Sequence, residues 1–309
     1  MYNEDEVEWG EVMKKRLLFI VNPTAGKGQI KRSLCDILNL LTRHNFLVHI
    51  HITQDGNDAR KQVLKRATKY DYLLCSGGDG TLNDVVKALM QCDKKPILGY
   101  IPAGTTNDFA TTLHIPKDML KATQQFVDGV SFKIDLGRFN QQWFTYVAAF
   151  GAFTEVAYST PQDFKNNFGR IAYFLEGLKS LANISEYHMK INADDDEIEG
   201  DFIYGHVSNS TSVAGITLSM KDIFVNDGSF ELFMIYRPNN PLDIQAIIAA
   251  LLMQDIHNNW FVYRKVKKVT FETDSLAQWT LDGEFGGEYK KVEITNEQQV
   301  LDIVVKREE

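Results

Sequence analysis

Between Arg16 and Asp128 the sequence switches repeatedly between short apolar runs and amphipathic stretches, and few folds accommodate that rhythm. Residues 16–22 (RLLFIVN) are apolar and end in a turn, as a strand buried on both faces does. Ile30, Leu34, Ile37, Leu38 and Leu41 then mark one face of a helix. Val48, Ile50 and Ile52 alternate with His49 and His51, the period of a strand. Residues 58–70 read as a helix, 72–76 as a strand, 82–91 as a helix, 97–101 as a strand, and 107–113 and 117–128 as helices. Repeated strand–helix units predict a parallel sheet with helices on both faces.

The pattern changes near Phe132 and becomes mostly strands and turns, with helices predicted only at 169–181 and 241–257. Residues 194–199 (DDDEIE) read as a solvated hairpin tip, and 266–305 as strands again. The 309 residues suit two domains. The first is a Rossmann-like parallel α/β domain over 14–133, to which a final strand, 299–309, returns. The second, 134–298, is β-rich, and 1–13 form a disordered acidic N-terminus.

A net charge of −8 argues against a nucleic-acid partner, which rewards a dense basic surface. Cys35, Cys75 and Cys92 have no CxxC or zinc spacing, so free thiols in a reducing compartment are expected. The N-terminus lacks the apolar stretch of a signal peptide, and the longest apolar run, 244–253, is about half of what spans a bilayer. A cytoplasmic chain that meets the membrane only transiently at its inner face is the expectation.

Three loops carry the chemistry. Ser76-Gly77-Gly78-Asp79-Gly80-Thr81-Leu82-Asn83-Asp84 follows a buried strand and opens a helix. Its glycines let the backbone approach a ligand, and free amides at a helix start attract phosphate. Thr81 reads as the N-cap, and Asp79 is placed to meet a phosphate-bound magnesium ion. Asn22-Pro23-Thr24-Ala25-Gly26-Lys27-Gly28 repeats the logic after the first strand, without being a Walker A loop. Pro102-Ala103-Gly104-Thr105-Thr106-Asn107-Asp108 follows the fourth strand. Ligands of open α/β sheets bind at such strand ends, so Asp79 and Asp108 are expected to face one site, where two carboxylates are most useful if a magnesium ion bridges them. His49 and His51 share a strand face that reads as solvent-facing rather than as a metal pair. The stripe Ile244, Ile247, Ile248, Leu251 and Leu252 reads as core rather than as a membrane face, and Phe164 to Arg170 as an ordinary loop.

Taken together and in this order, NPTAGKG, GGDGTLND and PAGTTNDFA resemble the signature of the diacylglycerol kinase catalytic-domain family, which includes soluble bacterial lipid kinases and is related to sphingosine and ceramide kinases. The resemblance spans roughly Lys15 to Lys306. It implies ATP in a cleft between the α/β domain and a β-sandwich-like lipid-substrate domain. The nucleotide contacts would be Asn22, Pro23, Thr24, Ala25, Gly26, Thr53, Gly78, Asp79, Gly80, Thr81, Leu82, Asn83, Asp84 and Thr105. Asp79 and Asp108 match magnesium-linked acids, and Asp135 matches an acid near the same network. Asn226-Asp227-Gly228, which alone reads as a turn, resembles a structural magnesium loop with Asp227 and the backbone oxygens of Phe224 and Ser229 as ligands. Leu281-Asp282-Gly283-Glu284, which alone reads as a hairpin turn, makes Glu284 the general base.

The implied activity is ATP- and magnesium-dependent phosphorylation of a lipid hydroxyl, most naturally that of diacylglycerol, by a peripheral homodimer. Asp84 stands where the family often has Glu, Asn57 where glycine is common, and 209–215 lacks the glycine density many members have near the lipid pocket. The rival readings are an NAD kinase, disfavoured by the Asp-Gly-Glu segment and the first loop, and a non-catalytic nucleotide or lipid sensor, disfavoured by the intact acids.

Overall fold

Leu17 to Val21 are at most 2% exposed, so the strand they form must lie inside a sheet covered on both faces. The computed structural model describes residues 14–105, 107–151, 185–209, 212–213, 216–217, 225–253, 255–256 and 258–307. The predicted helix at 169–181, the loop at 164–170, Phe224 and the acidic N-terminus lie outside them.

The first part runs β1 (Lys15–Val21), α1 (Ile30–Arg43), β2 (Phe46–Ile52), α2 (Asp58–Arg66), β3 (Tyr72–Gly77), α3 (Asp79–Leu89), β4 (Ile97–Pro102), α4 (Asp108–Thr112) and α5 (Met119–Asp128). The second runs β5 (Val130–Phe139), β6 (Gln142–Phe144), β7 (Val147–Gly151), β8 (Tyr187–Ala193), β9 (Asp196–Ser208), β10 (Ser212–Val213), β11 (Ile216–Thr217), β12 (Phe230–Tyr236), α6 (Pro241–Met253), β13 (Phe261–Val266), β14 (Lys268–Leu281) and β15 (Glu284–Val305). The molecule is thus mixed α/β with two parts of different character.

In the first part β2, β1, β3 and β4 lie side by side in parallel. The chain steps outward from β1 to β2 and then back across β1 to β3. Right-handed crossovers therefore put α1 on one face and α2 and α3 on the other. Consistent with this, α1 packs against α5, and α2 against α3. The reversal between β1 and β3 opens a crevice beyond their carboxyl ends.

The second part is antiparallel, in the order β6, β5, β15, β14, then β7 and β8 end to end, then β9, β12 and β13. Phe144 on β6 and Phe230 on β12 nonetheless meet with ring centroids 5.6 Å apart, so the sheet curls until its ends share one core. Phe150, Phe271 and Trp279 fill that core. The two parts are one continuous sheet. The end of β15 pairs in parallel with β4 through Ile303 and Leu98, while β15 also pairs along β5 with a register shift between Glu297 and Leu301.

The helix predicted at 58–70 ends at Arg66 and continues as a short 3₁₀ turn, Ala67–Lys69. The helix predicted at 241–257 ends at Met253. His51 does not face solvent: it is half-buried beneath α2, with Nε2 2.9 Å from Asp58 Oδ2, and that hydrogen bond holds the Asp58 carboxyl down at about 2. His49 contacts Arg66 instead (2.7 Å), so the two histidines do not converge.

Candidate active site

The three glycine-bearing loops touch one another. Gly26 has a φ of 56°, and a Cβ there would run into the Ala103 carbonyl, which binds the first loop to the third. A Cβ at Gly104 would stand 2.8 Å from Gly78 Cα, binding the third loop to the second. Asn22 then ties the first loop to α3: its Nδ2 donates to Thr81 Oγ1 (2.9 Å), and its Oδ1 accepts from the Thr24 amide (3.0 Å) and hydroxyl (2.9 Å).

Thr81 is therefore not the N-cap. Gly78 occupies that position in an extended conformation, and Asp79 is the first residue of α3. The earlier start sets the phase of the helix. Gly80, Thr81 and Asp84 face a cavity of about 200 Å³, completed by Asn22, Thr53, Asp55, Gly56, Ala59 and Glu284. Leu82 and Asn83 point away from it and are 1% and 2% exposed. Their side chains therefore do not line the cavity, and only their backbone in the first turns of α3 remains on its side. Pro23, Thr24, Ala25, Gly26, Gly78, Asp79 and Thr105 belong to the three loops but do not line this cavity. A larger groove of about 480 Å³ between α1 and α5 has none of these loops around it.

Asp79 and Asp108 each begin a helix after a parallel strand. Asn107 joins them. Its own backbone is left-handed (φ 53°), its amide donates to Asp79 Oδ2 (2.9 Å), and its side chain closes the third loop on Gly104 N (3.0 Å) and O (2.8 Å). Burial, then the nearby Asp108 charge, pushes the Asp79 carboxyl up to about 6, and its Oδ1 is buried with no hydrogen-bond partner among the described residues. An unpartnered carboxylate oxygen beside a second carboxylate suits a hard divalent cation, so these residues fit one.

The second part reaches this site through the β14–β15 hairpin. Asp282 and Gly283 both take positive φ (53° and 82°), as a two-residue hairpin turn requires. Asp282 is buried, and its carboxylate accepts from the amides of Thr145 (2.7 Å), Tyr146 (2.9 Å) and Val147 (3.1 Å). Burial raises its pKa against those three bonds. Asn83, with its amide oriented to satisfy both neighbours, donates to Asp282 Oδ2 (3.0 Å) and accepts from Lys87 (3.0 Å), which clasps α3 to the hairpin. Glu284 consequently hangs over the start of α3, where a Cβ on Gly80 would lie 3.0 Å from its Oε1. Its charge also helps to raise the Asp84 carboxyl, after burial. Asp282 and Asn107 were not singled out by sequence, and Asn83 was expected at the nucleotide and not at the hairpin; an Asn at the left-handed position ahead of a helix was the one local signal.

Two other expected site residues have different surroundings. Asp135 is fully buried, with Oδ2 accepting from Gly228 N (2.7 Å) and Oδ1 from Gln299 N (2.8 Å). It pins the 225–229 turn to β5 and β15 at the β15 register shift. The Asp227 carboxylate accepts from Ser229 N (3.0 Å) and pairs with the Lys265 ammonium, while Ser229 O accepts from Asn296 (3.3 Å). The expected metal loop thus already has a cation at its carboxylate. Of its other expected ligands, Phe224 lies outside the described residues; among the described residues no group of three His, Cys, Asp or Glu side chains able to hold a metal ion occurs.

The family model of the diacylglycerol kinase catalytic domain matches residues 16–139. The chain is 34% identical over 275 residues to a diacylglycerol kinase of Bacillus subtilis, covering 88% of this chain and 91% of that protein. It is likewise 34% identical to a diacylglycerol kinase of Staphylococcus carnosus, over 89% and 90%. A crystal structure of a diacylglycerol kinase from Bacillus anthracis strain Sterne shares the fold, with a TM-score of 0.76 at 23% identity over 96% of this chain and 98% of that one. The fold and site define a kinase of lipids, and the chain belongs to the diacylglycerol kinase family.

Proposed function

We propose that this lipid kinase transfers the γ-phosphate of ATP to the free hydroxyl of diacylglycerol, giving phosphatidic acid. The observation that carries the reading is the meeting of Glu284, from the second part, with the cavity at the start of α3, beside the Asp79–Asp108 pair. Phosphoryl transfer is mostly a matter of positioning and charge neutralisation, and this is an arrangement for both.

The glycine turns hold backbone amides at the mouths of α3 and α4, and these would bind and orient phosphate. Asn22 and Thr53 would fix the remainder of the nucleotide in the cavity. Asp79 and Asp108 would hold magnesium, which supplies neutralisation of the phosphate charge when bound. Glu284 would take the proton of the attacking hydroxyl, and the Asp282 amide clamp would keep Glu284 from drifting. The acyl chains of such an acceptor keep it in a bilayer, so the enzyme would work at a membrane surface. No helix among the described residues is long and apolar enough to cross one.

The test is to offer diacylglycerol, monoacylglycerol, sphingosine, ceramide and NAD in turn, the lipids in mixed micelles, with γ-labelled ATP and magnesium. Label is expected chiefly in phosphatidic acid. Labelled sphingoid base without labelled phosphatidic acid would overturn the substrate, and labelled NAD would overturn the lipid.

A further inference from the structure

The antiparallel part of the sheet has two buried faces. One looks into the aromatic core; the other joins the apolar cluster shared with α6 and the first part. Strand register puts polar residues in a row on this other face. Thr280 on β14 pairs with Ala149 on β7, Ala149 with His206 on β9, and His206 with Phe233 on β12. One step along, Val147 pairs with Ser208, Ser208 with Glu231, and Glu231 with Lys265. The row begins at the active-site hairpin, since the amide of Asp282 donates to Val147 O (2.8 Å).

His206, Ser208 and Glu231 are 4%, 1% and 2% exposed, and among the described residues His206 Nε2, Ser208 Oγ and Glu231 Oε2 have no hydrogen-bond partner. His206 Nδ1 is engaged by the Tyr204 hydroxyl at 3.1 Å, which leaves Nε2 as the free end of the ring. Burial drives the His206 ring down to about 3, so it is neutral and can give or accept one hydrogen bond. Three adjacent polar side chains left unsatisfied in an apolar setting are destabilising, which marks them as kept for a ligand. Their apolar neighbours on the same face, Phe233, Ile235 and Phe261, suit hydrocarbon.

We propose that His206, Ser208 and Glu231 form the subsite for the polar linkage of the lipid acceptor, the ester oxygens that join its acyl chains to the hydroxyl-bearing backbone. The proposal rests on the lipid-kinase reading and deepens it. Neighbouring strands lie about 4.8 Å apart, so His206 and Ser208 on β9, two strands from β14, stand roughly 10 Å from the hairpin, within reach of a lipid whose hydroxyl sits near Glu284. The ligand class is therefore a neutral lipid with carbonyl oxygens below its hydroxyl.

The experiment compares the wild-type protein with Ser208→Ala, His206→Phe and Glu231→Gln. Each is assayed with a diacylglycerol and with the dialkyl ether lipid that lacks the carbonyls. Binding of a non-hydrolysable ATP analogue and the melting temperature are measured in parallel. Ser208→Ala removes one atom and so guards against a folding defect. At least one variant should lose about 10-fold in kcat/KM for the diester, chiefly through KM, with unchanged nucleotide binding. The loss should shrink to less than about twofold with the ether lipid. Equal losses for both lipids, or none in any folded variant, would overturn the subsite and leave the lipid-kinase reading intact. A wild-type protein that labels no lipid at all would overturn that reading and the subsite with it.

Discussion

In the parallel part of the sheet the polar groups of the site stand just past the strands, at Asn22, Thr53, Asp79 and Asp108, whereas in the antiparallel part they stand within strands, at Thr280, His206, Ser208 and Glu231. The loops are pre-organised by mutual contact: glycines allow the close approach, and Asn22 and Asn107 supply the hydrogen bonds. The strand residues are fixed by the ladder: Thr280 donates to Ala149 O (3.4 Å), while His206 Nε2, Ser208 Oγ and Glu231 Oε2 have no partner among the described residues. The first arrangement holds a polyphosphate by its backbone. The second can recognise a molecule that brings a few oxygens along with much hydrocarbon. The hairpin at Asp282 is the hinge of the comparison, because it carries Glu284 from one region into the other.

The largest effect is expected from breaking the meeting point chemically. General-base catalysis contributes about 10²–10⁴-fold, so Glu284→Gln should lower kcat by that order. Its carboxylate neighbours Asp84 in the cavity, so nucleotide affinity should hold or rise when the charge is removed. Near-normal turnover, or a loss explained wholly by weaker binding of an ATP analogue, would separate the hairpin from the chemistry.

Breaking the same point mechanically comes next. Asp282→Ala leaves three backbone amides without their acceptor and frees Asn83. A stability loss of about 3 kcal/mol by urea unfolding is expected. An unchanged unfolding midpoint would mean that the clamp is not what joins the two parts.

How much of this was readable in the chain follows from how local each feature is. NPTAGKG and GGDGTLND announce themselves because glycine, a following helix and a preceding strand lie within ten residues, and the Asp-Gly turn because its two residues sit between two strands. The alternation of 16–128 located the strands β1 to β4 for the same reason. The resemblance takes Gly78 to Asp84 as one run of nucleotide contacts, but within a helix successive side chains point to different faces, so only Gly80, Thr81 and Asp84 of α3 line the cavity. Asp282's partners lie 135–137 residues away, and Ser208 meets Glu231 only through register, so no local pattern marks them. The bond between His51 and Asp58 was hidden for a simpler reason: alternation tells which face a residue takes, not what covers it.

The smallest effect is expected far from the site. Asp227 and Lys265 are partly exposed, with side chains 24% and 43% accessible, so Asp227→Ala should destabilise by no more than about 1 kcal/mol. The change should be the same with magnesium and with chelator, because the carboxylate faces an ammonium. A melting shift seen only with magnesium would restore a metal ion to that loop.

The central claim is that the strained acid at the start of α3 belongs to phosphoryl transfer to a lipid, and Asp79→Asn tests it most directly. The Asp79 carboxyl stands near 6 in the folded protein against about 3.8 ordinarily. The folded state therefore holds its proton more tightly than the unfolded one, and stability falls as pH rises from about 4 to about 6. Removing the charge should stabilise the metal-free protein by about 1–2 kcal/mol at pH 7.5 and by almost nothing at pH 4. The decisive measurement is transfer of label from γ-labelled ATP to diacylglycerol in mixed micelles with magnesium, by the folded Asp79→Asn protein beside the wild type. The account predicts labelled phosphatidic acid from the wild type and none from a variant that melts at the same temperature or higher. Equal labelling by the two proteins would contradict it.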